Sequence, residues 1–332
     1  MPEISAPAHH LPAGAAATTA AAQQCAEAVL MIRPAAFGYN AETAATNAFQ
    51  HPDAADPAAT ARKARTEFEQ LARALMSEGV RVLAVDDTAP PPKPDAVFPN
   101  NWVSFHACGT LVLYPMQSAS RRPERRQDVI EAVVKESGFR VTHLLDLTHY
   151  EADGKFLEGT GSLVLDHINR VAYACTSART HPQVVADWAR ELKYEPVIFQ
   201  AGDVKGIPLY HTNVLMCIGA RVVIIGSEAI AAADRERVLA RLTASGRQII
   251  DVGQAGIGQF AGNMLELASW DEALGDCRVL VMSQSARRAL SAAAFAQLSG
   301  CTDVVLTVPV PTIEAVGGGS VRCMIAEIFR PS

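Results

Sequence analysis

Five amphipathic stretches of this 332-residue chain are each followed by a short β-rich run. "AATARKARTEFEQLARALMSEGV" precedes "RVLAVDD", "RRQDVIEAVVKESG" precedes "FRVTHLLDL", and "HPQVVADWARELKY" precedes "EPVIFQ". "EAIAAADRERVLARLTASG" and "SARRALSAAAFAQLSG" lead in the same way into "RQIIDV" and "TDVVLTV". A second strand with a polar entry then follows each run: "VFPNNWVSFH", "FLEGTGSLVLD", "LYHTNVLMCIG", "QFAGNMLELA" and "GGGSVRCMIAEIF". The entries recur at intervals of roughly 50 to 60 residues, close to one supersecondary unit of strands plus helix. Four are followed by a further strand-like run, and the N-terminal "AEAVLMIRPAAFGYN" is expected to supply the strand the last unit lacks.

Units that cannot bury their apolar faces alone must pack on one another. The expectation is an α/β fold in which five units stand around a common axis and the polar entries converge at its centre. The chain is about half apolar and mildly acidic, without a basic stripe or tail, so nucleic-acid binding is not expected. No apolar run approaches the roughly 20 residues a membrane helix needs. Residues 1–24, Ala-rich and broken by Pro and Gly, read as a disordered tail ahead of a single catalytic domain over 25–332. The seven cysteines are irregularly spaced and form no C-x-x-C pair, which fits reduced thiols in a cytoplasmic protein. Cys175 and Cys217 lie in apolar runs and read as buried. His106, His143, His149 and His167 have no comparable context and read as surface or loop residues.

If the entries converge, one site collects Asn100, Asn101, Glu158, His211, Asn213, Asn263 and Cys323. These supply a thiolate to attack, an imidazole to move protons and a carboxylate to orient and bind. Cys323 alone reads as a core cysteine, but "GGGS" ahead of it allows close backbone approach to a ligand. Glu158 opens an apolar strand, where an unpartnered carboxylate is costly. Asn263 reads as structural, bonding backbone in its turn.

These motifs together resemble the pentein superfamily of guanidine-modifying enzymes, and most closely its amidinotransferase-related citrulline-utilisation hydrolases. The segments that carry the resemblance are "MIRPAAFGYNAETAATNAFQ", "DAVFPNNWVSFH", "LEGTGSLVLD", "ACTSART", "YHTNVLMCIG" and "GGGSVRCMIAEIF". They run from about Val29 to the C-terminus. The resemblance implies a five-bladed β/α propeller of ββαβ-type units around a central active site. It implies Cys323 as nucleophile, His211 as general acid/base, and Glu158 binding substrate nitrogens and orienting His211. Arg179 in "TSART" matches a position that binds the substrate α-carboxylate. No metal or organic cofactor is implied. The expected partner is a small amino-acid substrate, and the sequence leaves self-association into a homo-oligomer open.

The chain departs from arginine-processing relatives at three positions. Asn101 and Asn213 stand where they commonly carry Asp, and Gly161 stands where arginine deiminases carry another. A guanidinium has five donors and no acceptor, and its burial calls for carboxylates. A neutral ureido group has donors and a carbonyl acceptor, which asparagines at Asn100, Asn101 and Asn213 match. The expected reaction is therefore hydrolysis of citrulline to ornithine, carbon dioxide and ammonia through a thio-intermediate. The alternatives are deimination or dihydrolysis of arginine or a derivative, amidino transfer, and a non-catalytic amino-acid-binding role. Asp95 is a candidate for a missing acid.

Overall fold

A computed structural model describes residues 23–53, 56–272 and 275–329. One pattern of pairing repeats along the chain. Val103–Phe105 runs antiparallel to Thr110–Leu113, helix Gln127–Ser137 crosses over, and His143–Asp146 joins Thr110–Leu113 in parallel. The order recurs in Val164–Asp166, Val171–Cys175, Pro182–Leu192 and Glu195–Phe199. It recurs again in Met216–Ile218, Val222–Ile225, Ala232–Thr243 and Gln248–Asp251. A fourth copy comprises Leu265–Asp271, Gly275–Ser283, Ala292–Ser299 and Val304–Val308. The last copy joins the two ends of the chain. C-terminal Ala326–Ile328 is antiparallel to Ala28–Arg33, and helix Pro57–Ser77 leads to parallel Arg81–Asp86.

The fold is thus mixed α/β, and the N-terminal strand completes the C-terminal unit as expected from the sequence. Among the described residues the strands do not form one closed barrel. The end-joining unit and the Val103–Asp146 unit share a six-stranded sheet through the pairing of Ile328 with Phe105, and the other units are separate three-stranded sheets.

Helix Pro57–Ser77 shows how each unit is covered. The Asp56 side chain accepts from the backbone N–H groups of Ala58 and Ala59, and Pro57 occupies the first turn, where a missing N–H costs nothing. Ala64, Phe68, Leu71 and Leu75 recur at helical spacing and are fully buried against Val29, Met31, Leu267 and Val279. Each large apolar side chain so buried contributes about 1.5–3 kcal/mol.

Two expectations need correction. The polar entries are not strand starts. Four are single helical turns, Pro99–Asn101, Gly159–Ser162, Thr212–Leu215 and Val321–Met324, and each ends just before its strand. Each turn leads into a short strand that is itself buried along most of its length. His106 is not a surface residue: it is buried, its Nε2 lies 2.8 Å from Ser104 Oγ, and burial pushes it down to about 3. The expected tail falls on residues outside the description except for its end. Gln24 is buried and donates to the carbonyls of Leu165 and Ile218. Among the described residues no helix is long and apolar enough to cross a membrane.

Candidate active site

The entry turns meet edge to edge. Thr212 Oγ1 donates to Ser162 O (2.6 Å), Asn263 Nδ2 to Asn213 O (2.9 Å), and Arg322 N to Asn263 Oδ1 (3.1 Å). Close approach decides which residue can stand at Gly161. A Cβ there would lie 2.6 Å from Asn101 Nδ2 and 2.7 Å from His211 Nδ1. The position that carries a carboxylate in arginine deiminases is therefore closed by the imidazole itself.

Glu158 and His211 form the polar centre. Both are buried, and His211 Nε2 is 2.9 Å from Glu158 Oε2. The same oxygen faces Arg179 Nη1 at 3.4 Å and Arg121 Nη1 at 3.8 Å, while Oε1 accepts from Gln117 N at 3.1 Å. Burial alone would raise the Glu158 carboxyl; Arg179, His211 and Arg121 outweigh it and hold the group below the usual carboxylate range. Burial, helped by the two arginines and opposed by Glu158, pushes His211 down to about 4. The resting pair is an ionised carboxylate and a neutral imidazole, with the arginines supplying the positive charge.

Arg121 is the hub of the acids. It is buried, grips Glu124 through Nε (2.9 Å) and Nη2 (2.8 Å), and donates from Nη1 to Asn101 Oδ1 (2.8 Å). Asp95 lies 3.8 Å from its Nε and accepts from Asn40 Nδ2 at 2.7 Å. Burial raises the Asp95 carboxyl, against the pull of Arg121 and Asn40. Burial pushes Glu124 up to about 7 despite Arg121.

Cys323 is buried in the last entry turn, and its sulfur meets carboxamides. Asn213 Nδ2 lies 3.5 Å and Asn263 Nδ2 3.4 Å from Sγ. Among the described residues His211 and Cys323 share no hydrogen bond, but both line one cavity with Asp95, Asn101, Arg121 and Arg179. Its free volume of ≈ 10 Å³ is about that of one water molecule.

The segment after the first strand covers this cavity. Arg179 Nη2 donates to Thr43 O (2.7 Å) and Asn47 Nδ2 to Gly318 O (3.2 Å). Tyr210 OH donates to the same Gly318 carbonyl at 2.5 Å. Gly318 has φ +64°, and a Cβ would stand 2.5 Å from Asn47 Nδ2, so only glycine fits beneath the cover. Glu42 fastens the segment, accepting from Ala119 N (2.7 Å) and Ser120 N (3.0 Å) at the start of the turn that carries Arg121.

The structure brings Glu158, His211, Asn101, Asn213, Arg179 and Cys323 together. Asn100 is buried beside Asn101 and accepts from its Nδ2 at 2.9 Å. Asn263 bonds backbone as expected, but also reaches the sulfur. Sequence reasoning missed Arg121 and Tyr210. Arg121 is one of four arginines in "SRRPERRQ", and no periodicity singles out the inward one. Among the described residues no group of three or more His, Cys, Asp or Glu is placed to hold a metal ion.

A family model described as "N,N dimethylarginine dimethylhydrolase, eukaryotic" matches residues 33–330. The chain belongs to this pentein family. Solved pentein structures share its fold. One is ArgZ, an arginine dihydrolase from the ornithine-ammonia cycle in cyanobacteria, with a TM-score of 0.69 and 18% identity. The match covers 92% of this chain but 41% of ArgZ, so the chain spans less than half of that protein. Against the N-terminal domain of ArgZ bound to substrate, coverage is 92% and 98%, with a TM-score of 0.68 and 18% identity. A dimethylarginine dimethylaminohydrolase adduct with S-methyl-L-thiocitrulline gives a TM-score of 0.62 at 17% identity, covering 91% of this chain and 99% of that one. No curated protein sequence matches the chain.

Proposed function

We propose that this pentein is a cysteine-dependent hydrolase of the ureido carbon of citrulline, with its five units standing around one axis as a five-bladed β/α propeller. One observation carries the substrate reading: the reacting end of the cavity presents donors. Asn263 turns Nδ2 toward the sulfur, Asn213 brings its Nδ2 to 3.5 Å and its Oδ1 to 3.8 Å of it, and the Asn101 oxygen is taken by Arg121. Glu158 is already engaged by His211, Arg179 and Arg121. A third guanidinium, beside those of Arg121 and Arg179, would find donors where it needs acceptors, whereas a ureido oxygen finds partners.

The amino-acid head is held by opposite charges. Arg179 takes the α-carboxylate, and Asp95, on the same cavity wall, takes the α-ammonium. An amino acid does not fit a space of one water, so the cover over Asn40–Asn47 opens for substrate entry and shuts behind it.

The Cys323 thiol gives its proton to neutral His211, and the sulfur adds to the ureido carbon as thiolate while the C=O electron pair moves onto oxygen. Carboxamide N–H groups hold that oxyanion. His211 carries a proton to the ornithine nitrogen, whose C–N bond breaks, leaving a carbamoyl thioester on Cys323. Neutral again, His211 takes a proton from water, which attacks the thioester. Carbamate leaves and decomposes to carbon dioxide and ammonia, and the thiol is restored. Glu158 keeps His211 oriented throughout.

The test is product analysis with citrulline and arginine supplied separately. Ornithine and ammonia from citrulline, lost in Cys323→Ser with the fold intact, are expected. Retained turnover in Cys323→Ser removes the nucleophile. A second reading, hydrolysis of arginine or a derivative, is favoured by the Asp95 carboxylate on the cavity wall, and the arginine arm tests it.

A further inference from the structure

We infer that Asn263 is a catalytic residue whose side-chain N–H holds negative charge on the Cys323 sulfur. The inference rests on Cys323 being the nucleophile, as proposed above.

The orientation of the Asn263 amide follows from its partners. The backbone N–H of Arg322 can only donate, and it meets Oδ1 at 3.1 Å. Nδ2 is thereby turned the other way, where it has two acceptors: Asn213 O at 2.9 Å and Cys323 Sγ at 3.4 Å. Both hydrogens of the amide are used, and a flip would set Oδ1 against a carbonyl and Nδ2 against an N–H.

Asn213 lacks this constraint toward the sulfur. Sγ lies 3.5 Å from its Nδ2 and 3.8 Å from its Oδ1. Its amide therefore serves either state, accepting from a thiol or donating to a thiolate. Asn263 only donates, so it favours the charged state. That bias matters because the His211 imidazole makes no bond to Cys323 among the described residues.

The backbone ahead of Asn263 is shaped to place it. Phe260 has φ +61°, a conformation costly for a bulky residue, and its carbonyl accepts from Asn263 N at 2.8 Å. The turn ends with Asn263 fully buried between the Asn213 and Cys323 turns. When Sγ gives up its proton to the base, Asn213 and Asn263 each supply one N–H to the sulfur. Hydrogen bonds to a charged acceptor are strong enough for each to change the thiolate population by about ten-fold.

Asn263→Asp tests this with little change of shape. One carboxylate oxygen keeps the bond to Arg322 N, and the other replaces the donor by an acceptor. Iodoacetamide labelling of Cys323 at neutral pH, read by peptide mass spectrometry with Cys323→Ser as blank, is expected to slow about ten-fold or more. The kcat for the substrate falls with it while KM stays near wild type. Asn263→Ser, which shortens the side chain, covers the case in which the aspartate variant does not fold. A melting temperature alone would move if Asn263 were only structural. Labelling at the wild-type rate in a folded variant overturns the inference. The labelling needs no substrate, so its outcome is separate from the citrulline reading: wild-type turnover with unaffected labelling in the variants sinks this inference alone.

Discussion

Oε2 of Glu158 accepts from Nε2 of His211 at 2.9 Å, yet burial keeps the imidazole neutral, helped by Arg179 and Arg121, which balance the carboxylate. A pair of this kind holds the histidine in place with its proton-accepting capacity free.

The first consequence is a pH dependence of stability. His211 binds its proton near 6.5 in the unfolded chain and at about 4 in the folded one. The stability this contributes is complete above pH 6.5 and is lost as pH falls toward 4, because the unfolded state then binds the proton more readily. The effect is on the order of 3 kcal/mol. Glu158, whose carboxyl is also lowered, adds loss in the same direction at still lower pH. Glu124, pushed up to about 7, opposes this loss in the same window and His106, pushed down to about 3, adds to it, so the test is a difference: between pH 7 and 4, urea titrations of His211→Gln are expected to lose less stability than wild type by about this amount. An unchanged slope in that variant contradicts the assignment.

Removing the Glu158 charge is expected to be more damaging than losing one hydrogen bond. Glu158→Gln leaves Arg179 and Arg121 buried with less compensation, and breaking such an arrangement costs about 3–5 kcal/mol. Chemical denaturation measures this, and a loss under 1 kcal/mol would show that Glu124 and Asp95 balance the arginines alone.

Gly161→Asp asks whether adding back the carboxylate of arginine deiminases makes an arginine enzyme. Its Cβ would stand 2.7 Å from His211 Nδ1, so the ring must move. The expected result is a fall in citrulline kcat/KM of about 100-fold or more with no gain on arginine. A gain on arginine would mean that only charge, and not space, separates the two chemistries.

Glu42→Gln probes the cover. The neutral side chain holds Ala119 N and Ser120 N less firmly, so the closed form is less populated. A rise in KM of about 3-fold or more is expected, with a melting temperature near wild type. An unaltered KM and kcat would detach this latch from substrate binding.

Much of this was legible in the sequence because it is periodic. The alternation of helix and strand exposed the five units, and the polar entries marked Glu158, His211, Asn213 and Cys323. The helical shape of those entries was hidden, since turns as short as Gly159–Ser162 or Thr212–Leu215 carry no period of their own. Arg121 was hidden for a related reason: its partners Asn101, Glu124 and Asp95 come from three separate segments, and its neighbours in sequence are arginines too. Burial of His106 depended on Trp188 and Tyr114, which meet only once helix Pro182–Leu192 is docked. Asn263 read as a turn residue because its reach to Cys323 crosses between two units.

The measurement that tests the central claim most directly is the ratio of kcat/KM for citrulline to that for arginine on the purified protein. The donor-lined reacting end predicts a ratio in favour of citrulline of about ten-fold or more, equivalent to about 1.4 kcal/mol of transition-state binding. A ratio of the same size in favour of arginine would contradict it, and would mean that Asp95 and Glu158 release the protein's own arginines to receive the substrate's.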